Sequence, residues 1–119
     1  MQMRKLLITA AVLFLAGMAT TPAGSGVTNY PNPFTAGTET TKIRYTLGAD
    51  TDVKITIYDL TGQVTWIMEI GAGDPGAEAG VNEVTWDGEN GNGKTVDYGI
   101  YICVIDAGGT RQRRKIGVR

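Results

Sequence analysis

The residues best equipped for chemistry crowd one stretch, VTWDGENGNGKTVDYGIYICV from Val84 to Val104, where Asp87, Glu89, Asn90, Asn92 and Asp97 offer hard oxygen donors. Such a density of carboxylate and amide oxygens is what a calcium ion takes. The spacing departs from an EF-hand loop: counted from Asp87, the sixth position is Asn92 where glycine is needed, and the twelfth is Tyr98 where a bidentate glutamate is needed. The competing reading is that Asp and Asn side chains bond to the backbone of a glycine-punctuated turn. It leaves Asp87, Glu89, Asn92 and Asp97 as weak metal candidates only.

Catalysis finds little to work with. The chain has no histidine, the commonest general base and metal ligand. No Gly-x-Ser-x-Gly elbow occurs, and no serine or threonine has a base placed beside it by motif. Glu83 and Asp87 resemble a carboxylate pair, but their alternation with inward residues marks them as solvated surface rather than glycosidase machinery. Cys103 is the one cysteine, so an internal disulfide is excluded. Its place within the apolar run Ile100 to Ile105 favours a buried structural thiol; a reactive or intermolecular thiol is the alternative. The sequence therefore reads as non-enzymatic, with no cofactor required.

Charge carries the other candidate site. Eleven basic and twelve acidic residues leave a net charge of −1, which gives no reason to expect a nucleic-acid partner. Yet Arg111, Arg113, Arg114, Lys115 and Arg119 place five cations in the last nine residues. Three readings compete: protection of an exposed sheet edge against pairing, recognition by an export or surface component, and contact with a membrane or polyanion.

The elements that must position these residues begin after a leader. Residues 1–23 show a basic start at Arg4 and Lys5, the apolar run Leu6 to Ala16, then small residues, the parts of a cleaved secretory signal helix, with a retained anchor as the alternative. Membrane contact is then transient, through that signal alone, and the protein is exported to the periplasm, the cell surface or the medium. Residues 24–119 form one module of roughly 90 residues, within the range that folds alone. Val27 to Phe34, with Pro31 and Pro33 flanking Asn32, is expected to run along an edge, Tyr30 and Phe34 covering the core rim. Lys42 to Leu47 and Val53 to Tyr58 alternate as half-buried strands. Asp59 to Gly62 turns into Gln63 to Ile70, whose Val64, Trp66, Met68 and Ile70 are expected on one face. The glycine-rich Gly71 to Gly80 is long enough to cross between sheets. Val81 to Trp86 returns with Val84 and Trp86 inward. Ile100 to Ile105, apolar on both faces, is expected to lie centrally, and Thr110 to Val118 to end its sheet. Seven short strands with turn chemistry between them point to an all-β, immunoglobulin-like β-sandwich, with Trp66, Trp86 and Tyr101 filling the place of a cystine.

The order PNPF, KIRYTL, VKITIYDLTGQV, VTWDGENGNGKTVDYGIYIC and a basic RRKIGVR end resembles a known family over about Asn29 to Arg119. It is similar to the Ig-like modules that close many exported bacterial proteins: the C-terminal sorting domains of type IX secretion and the Ig-like domain of the flagellar hook-capping protein, FlgD. The resemblance implies that Pro31, Asn32 and Pro33 form the opening edge, and that Tyr58, Asp59 and Gly62 build a hairpin turn. It further implies that Trp86, Asp87 and Gly88 start the next connection, and that Gly99 and Tyr101 open the central strand. Lys115 to Arg119 would match the end of a sorting domain that an export apparatus reads. Unlike known sorting modules, this one has almost no cargo between leader and module.

Together these features define a non-catalytic exported module for secretion sorting or cell-surface attachment. It would bind a protein of the secretion or attachment machinery through its sheet edge and the cations Arg113, Arg114, Lys115 and Arg119. Two other functions fit the same residues: a structural subunit that self-associates into an extracellular assembly, and a carbohydrate- or calcium-binding module.

Overall fold

The computed structural model describes residues 26–119; the signal helix expected over 1–23 lies outside them. Among the described residues seven strands form and no helix: β1 (Thr28–Tyr30), β2 (Thr41–Leu47), β3 (Val53–Tyr58), β4 (Val64–Ile70), β5 (Gly80–Trp86), β6 (Gly99–Ala107) and β7 (Thr110–Val118). They make two antiparallel sheets, ordered β1-β2-β5 and β4-β3-β6-β7. This is the immunoglobulin-like sandwich that the alternation foretold. β6 is interior and β7 is an edge, and the Gly71–Gly80 connection carries the chain from one sheet to the other.

Period-two alternation builds the core. Ile43, Tyr45 and Leu47 of β2 face Val53, Ile55 and Ile57 of β3 and Tyr101, Cys103 and Ile105 of β6 across the interior, all buried. Trp86 sits at its centre. Its ring is met edge-on by Phe34 at 5.6 Å and by Tyr101 at 5.7 Å, with Trp66 tilted against it at 6.4 Å. Aromatic edges against aromatic faces satisfy the ring quadrupoles and occupy the volume that a cystine and its neighbours would otherwise fill. The indole N–H is satisfied as well, donating to the Glu89 carbonyl at 2.9 Å.

Two expectations fail. Tyr30 is 80% exposed and covers nothing, because in the three-residue β1 it is Asn29 that turns inward, leaving Phe34 alone to close the core. Val64 does not share a face with Trp66. The β3–β4 register slips between Ile57 and Tyr58, so that Trp66 opposes Ile57 while Val64 opposes Tyr58, and Thr65 is the extra residue. A one-residue bulge inverts the side-chain phase beyond it, which leaves Val64 48% exposed.

Candidate interaction site at the C-terminal strand

Alternation back from the buried Ile116 and Val118 decides where the cations of β7 point. Gln112 and Arg114 share the phase of the inward residues, whereas Arg111, Arg113 and Lys115 project from the outer face and are exposed. The Arg114 guanidinium runs instead to the opposing sheet, its Nε donating to Asn29 Oδ1 at 2.8 Å. Arg119 Nε reaches Thr35 Oγ1 at 3.3 Å. The five cations are thus divided: Arg114 and Arg119 tie the strand down, and Arg113 and Lys115 have no carboxylate within ion-pair distance among the described residues. Arg111 is neutralised by Asp106 through a 2.7 Å contact, which also raises its pKa.

The strand is held by a polar latch built from PNPF. Asn29 is buried, and its Oδ1 accepts from Asn32 Nδ2 as well as from Arg114, while its Nδ2 donates to Thr41 Oγ1 at 2.9 Å. The Thr41 hydroxyl donates onward to the Pro31 carbonyl at 2.8 Å. Asn32 reads the edge of β7: its Oδ1 accepts from Gly117 N at 2.8 Å and its Nδ2 donates to the Lys115 carbonyl at 3.2 Å. Phe34 completes the edge as a short parallel bridge, Phe34 N donating to Gly117 O and Arg119 N to Phe34 O. The Tyr30–Pro31 and Asn32–Pro33 bonds are both cis. At Lys115–Arg119 the backbone edge is therefore already occupied by the chain's own opening segment. Nothing in the sequence flagged Asn29 and Thr41, because the partners that draw Asn29 inward lie on β2 and β7.

In the oxygen-rich loop after β5, the Asp87 and Asn90 side chains bond to the loop's own backbone. Asp87 Oδ1 accepts from Glu89 N, and Asn90 Oδ1 accepts from Asn92 N and Lys94 N. The Asp97 carbonyl accepts from the Tyr101 hydroxyl at 2.8 Å. No group of three or more His, Cys, Asp or Glu among the described residues is placed to hold a metal ion. Gly88 is required where it stands: its φ is +80°, and an added Cβ would lie 2.5 Å from the Ala36 Cβ. The loop also donates from Gly91 N to the Thr65 carbonyl, docking onto the β4 edge. An open groove of about 670 Å³ remains between them, lined by Trp66, Asn90, Asn92 and Asp97.

The β3–β4 turn is organised by Asp59. Asp59 Oδ1 accepts from Thr61 Oγ1, Thr61 N and Gln63 N, and these donors hold its carboxyl below the usual range. Gly62 supplies the positive φ the turn needs, at +89°. Tyr58 ends β3 on the outer face, and Gly99 and Tyr101 open β6. Cys103 is fully buried and burial pushes its thiol up to about 12, so the structural reading of this cysteine is the one the fold enforces.

Residues 28–110 match the FlgD Ig-like domain family. The chain belongs to that family. Among solved structures it is similar to PorZ of Porphyromonas gingivalis, an essential bacterial surface component of the type IX secretion system, with 20% identity and a TM-score of 0.52 over 79% of this chain and 11% of PorZ. It is also similar to dimeric latent PorU of the same organism, with 24% identity and a TM-score of 0.59 over 90% of this chain and 10% of PorU. FlgD of Pseudomonas aeruginosa matches with 19% identity and a TM-score of 0.56 over 81% of this chain and 78% of that one. The chain thus spans about a tenth of the first two proteins, and at these identities the likeness is one of fold. No curated protein matches the sequence.

Proposed function

We propose that this Ig-like domain is a non-catalytic, exported interaction module for secretion sorting or surface attachment, which docks on a protein partner through the cations of its C-terminal strand. The observation that carries the reading is the division of that strand. Its backbone edge at Lys115–Arg119 is filled by Asn32 and Phe34, while Arg113 and Lys115 stand exposed and unneutralised. Charged side chains that the fold leaves unpaired, on a strand whose position the fold fixes, favour recognition of a partner over edge protection, because the edge there already has its own cover. Arg114 and Arg119 serve the same function indirectly by holding the strand in place. Membership in the FlgD Ig-like family and a fold shared with PorZ are consistent with work at a bacterial surface.

The test is the R113E/K115E double variant of the precursor, followed by fractionation of cells into cytoplasm, periplasm, surface and medium. The reading expects the variant to accumulate short of the wild-type compartment while melting at the wild-type temperature. An unchanged distribution would refute it.

A further inference from the structure

The outer face of the four-stranded sheet is ordered in cross-strand rows. Pairing places Glu69 beside Lys54, Lys54 beside Asp106 and Asp106 beside Arg111, an alternation of charge that closes on itself. The next row runs Ile67, Thr56, Val104, Arg113, and the row after it Val64, Tyr58, Ile102, Lys115. Both are uncharged across three strands and end on a cation at the β7 edge. Val64 and Ile67 are 48% and 47% exposed, Tyr58 and Ile102 are half-buried, and Leu60 extends the band at the turn, 69% exposed, while Thr56 and Val104 between them are buried. Soluble sheet faces ordinarily alternate apolar inward with polar outward, so a solvent-side band that leaves Val64, Ile67 and Leu60 exposed beside Tyr58 and Ile102 calls for an occupant.

We infer that this band binds one extended or helical segment of a partner protein, apolar along its length and acidic on the flank that lies over Arg113 and Lys115. This names the partner chemistry of the interaction module proposed above and rests on that reading. Size limits the occupant. Four strands spaced about 4.8 Å apart give a band about 14 Å across, with rows about 7 Å apart, which suits one segment better than a globular surface. Charge selects among segments. The two cations lack carboxylates, and only an acidic flank neutralises them on docking. A second copy stacked face to face is a poorer source, because Glu69 and Asp106 sit in the charge-closed row and Asp59, at the end of the band, is engaged by Thr61 and Gln63 of its own turn. Backbone pairing at the sheet edges is a poorer route: Asn32 and Phe34 fill β7 at Lys115–Arg119, and Gly91 bonds to Thr65 on β4.

The inference is tested by titrating isotope-labelled full-length chain with short synthetic peptides of alternating valine and glutamate, valine and lysine, or serine and glutamate, and following backbone amide shifts. The valine–glutamate peptide is expected to move Thr56, Ile102, Val104 and Arg113. R113Q/K115Q should weaken it at least fivefold, and R111Q, which removes a charge already neutralised by Asp106, less than twofold. Equal binding of the valine–lysine or serine–glutamate peptide, an equal loss in R111Q, or no shift in these residues would overturn it. So would anionic phosphatidylglycerol vesicles moving the same amides when the peptide does not, or shifts that grow with protein concentration alone. The peptide result is independent of where cells deliver the protein. Peptide binding with unchanged fractionation of R113E/K115E would leave the surface standing and remove the sorting role.

Discussion

Replacing Asn29 with alanine should cost this domain a large part of its stability, because that one buried side chain joins three segments. It accepts from Asn32 Nδ2 and Arg114 Nε and donates to Thr41 Oγ1. A net hydrogen bond contributes about 1 kcal/mol and one from a charged donor about 1.5–3 kcal/mol. Arg114 is partly exposed and regains water in the variant, so its share is discounted, whereas Thr41 is fully buried and its hydroxyl keeps only the Pro31 carbonyl. The sum is about 2–4 kcal/mol. For a domain of this size 1 kcal/mol moves the midpoint by about 4–8 °C, so Asn29→Ala should melt roughly 10–25 °C below wild type. Tryptophan fluorescence in urea and a thermal melt by circular dichroism read it directly. Native-state amide exchange adds a local readout: Gly117 and Arg119 should lose protection before β6 does, since Asn32 and Phe34 hold them. Asn29→Asp, which keeps both acceptor bonds and loses only the donor to Thr41, should recover more than half of the loss. A loss below 0.5 kcal/mol in Asn29→Ala, on the scale of an ordinary surface substitution, would refute the latch.

Gly88→Ala combines a φ of +80° with a 2.5 Å approach to Ala36, and should cost about 2–5 kcal/mol in urea unfolding, whereas Gly91→Ala, with its nearest contact at 3.9 Å, should cost far less. Cys103 should resist a disulfide thiol reagent in native buffer and react fully in denaturant, because its thiol is buried. Burial raises Cys103 and Tyr45 to about 12, so the folded state holds protons that the unfolded state releases. Stability should therefore fall from about pH 9 upward through about 12, and Cys103→Ala should flatten the first part of that slope, as alkaline urea titrations would show. For Asp59 the sign is opposite: its carboxyl is held low in the fold, so the stability difference between wild type and Asp59→Asn should be present at neutral pH and shrink as pH falls below about 4.

The strand pattern, the sheet crossing at Gly71–Gly80 and the central place of β6 were legible in the chain, because a period of two and the positions of turn residues are local properties. The turn at Asp59–Gly62 was legible for the same reason: an aspartate two to four residues before its backbone donors needs no distant partner. Arg114 was grouped with the exposed binding cations, although counting back from Ile116 and Val118 puts it in the inward phase, where it meets Asn29. Val64 was misplaced because a bulge is settled by pairing with β3, and nothing within Gln63–Ile70 announces it. Tyr30 was misplaced because its neighbour Asn29 is drawn inward by Thr41 and Arg114, residues 12 and 85 positions away.

Local chemistry alone thus determined which stretches are strands, where they turn and that Cys103 stands without a partner. Only the tertiary structure decided which of five basic side chains remain available. Arg111, Arg114 and Arg119 found partners in Asp106, Asn29 and Thr35, while Arg113 and Lys115 were left at the ends of two apolar rows. Charge is a property of a residue, but whether it is neutralised depends on what the fold brings within about 4 Å of it, and cross-strand register, which no single strand encodes, sets that.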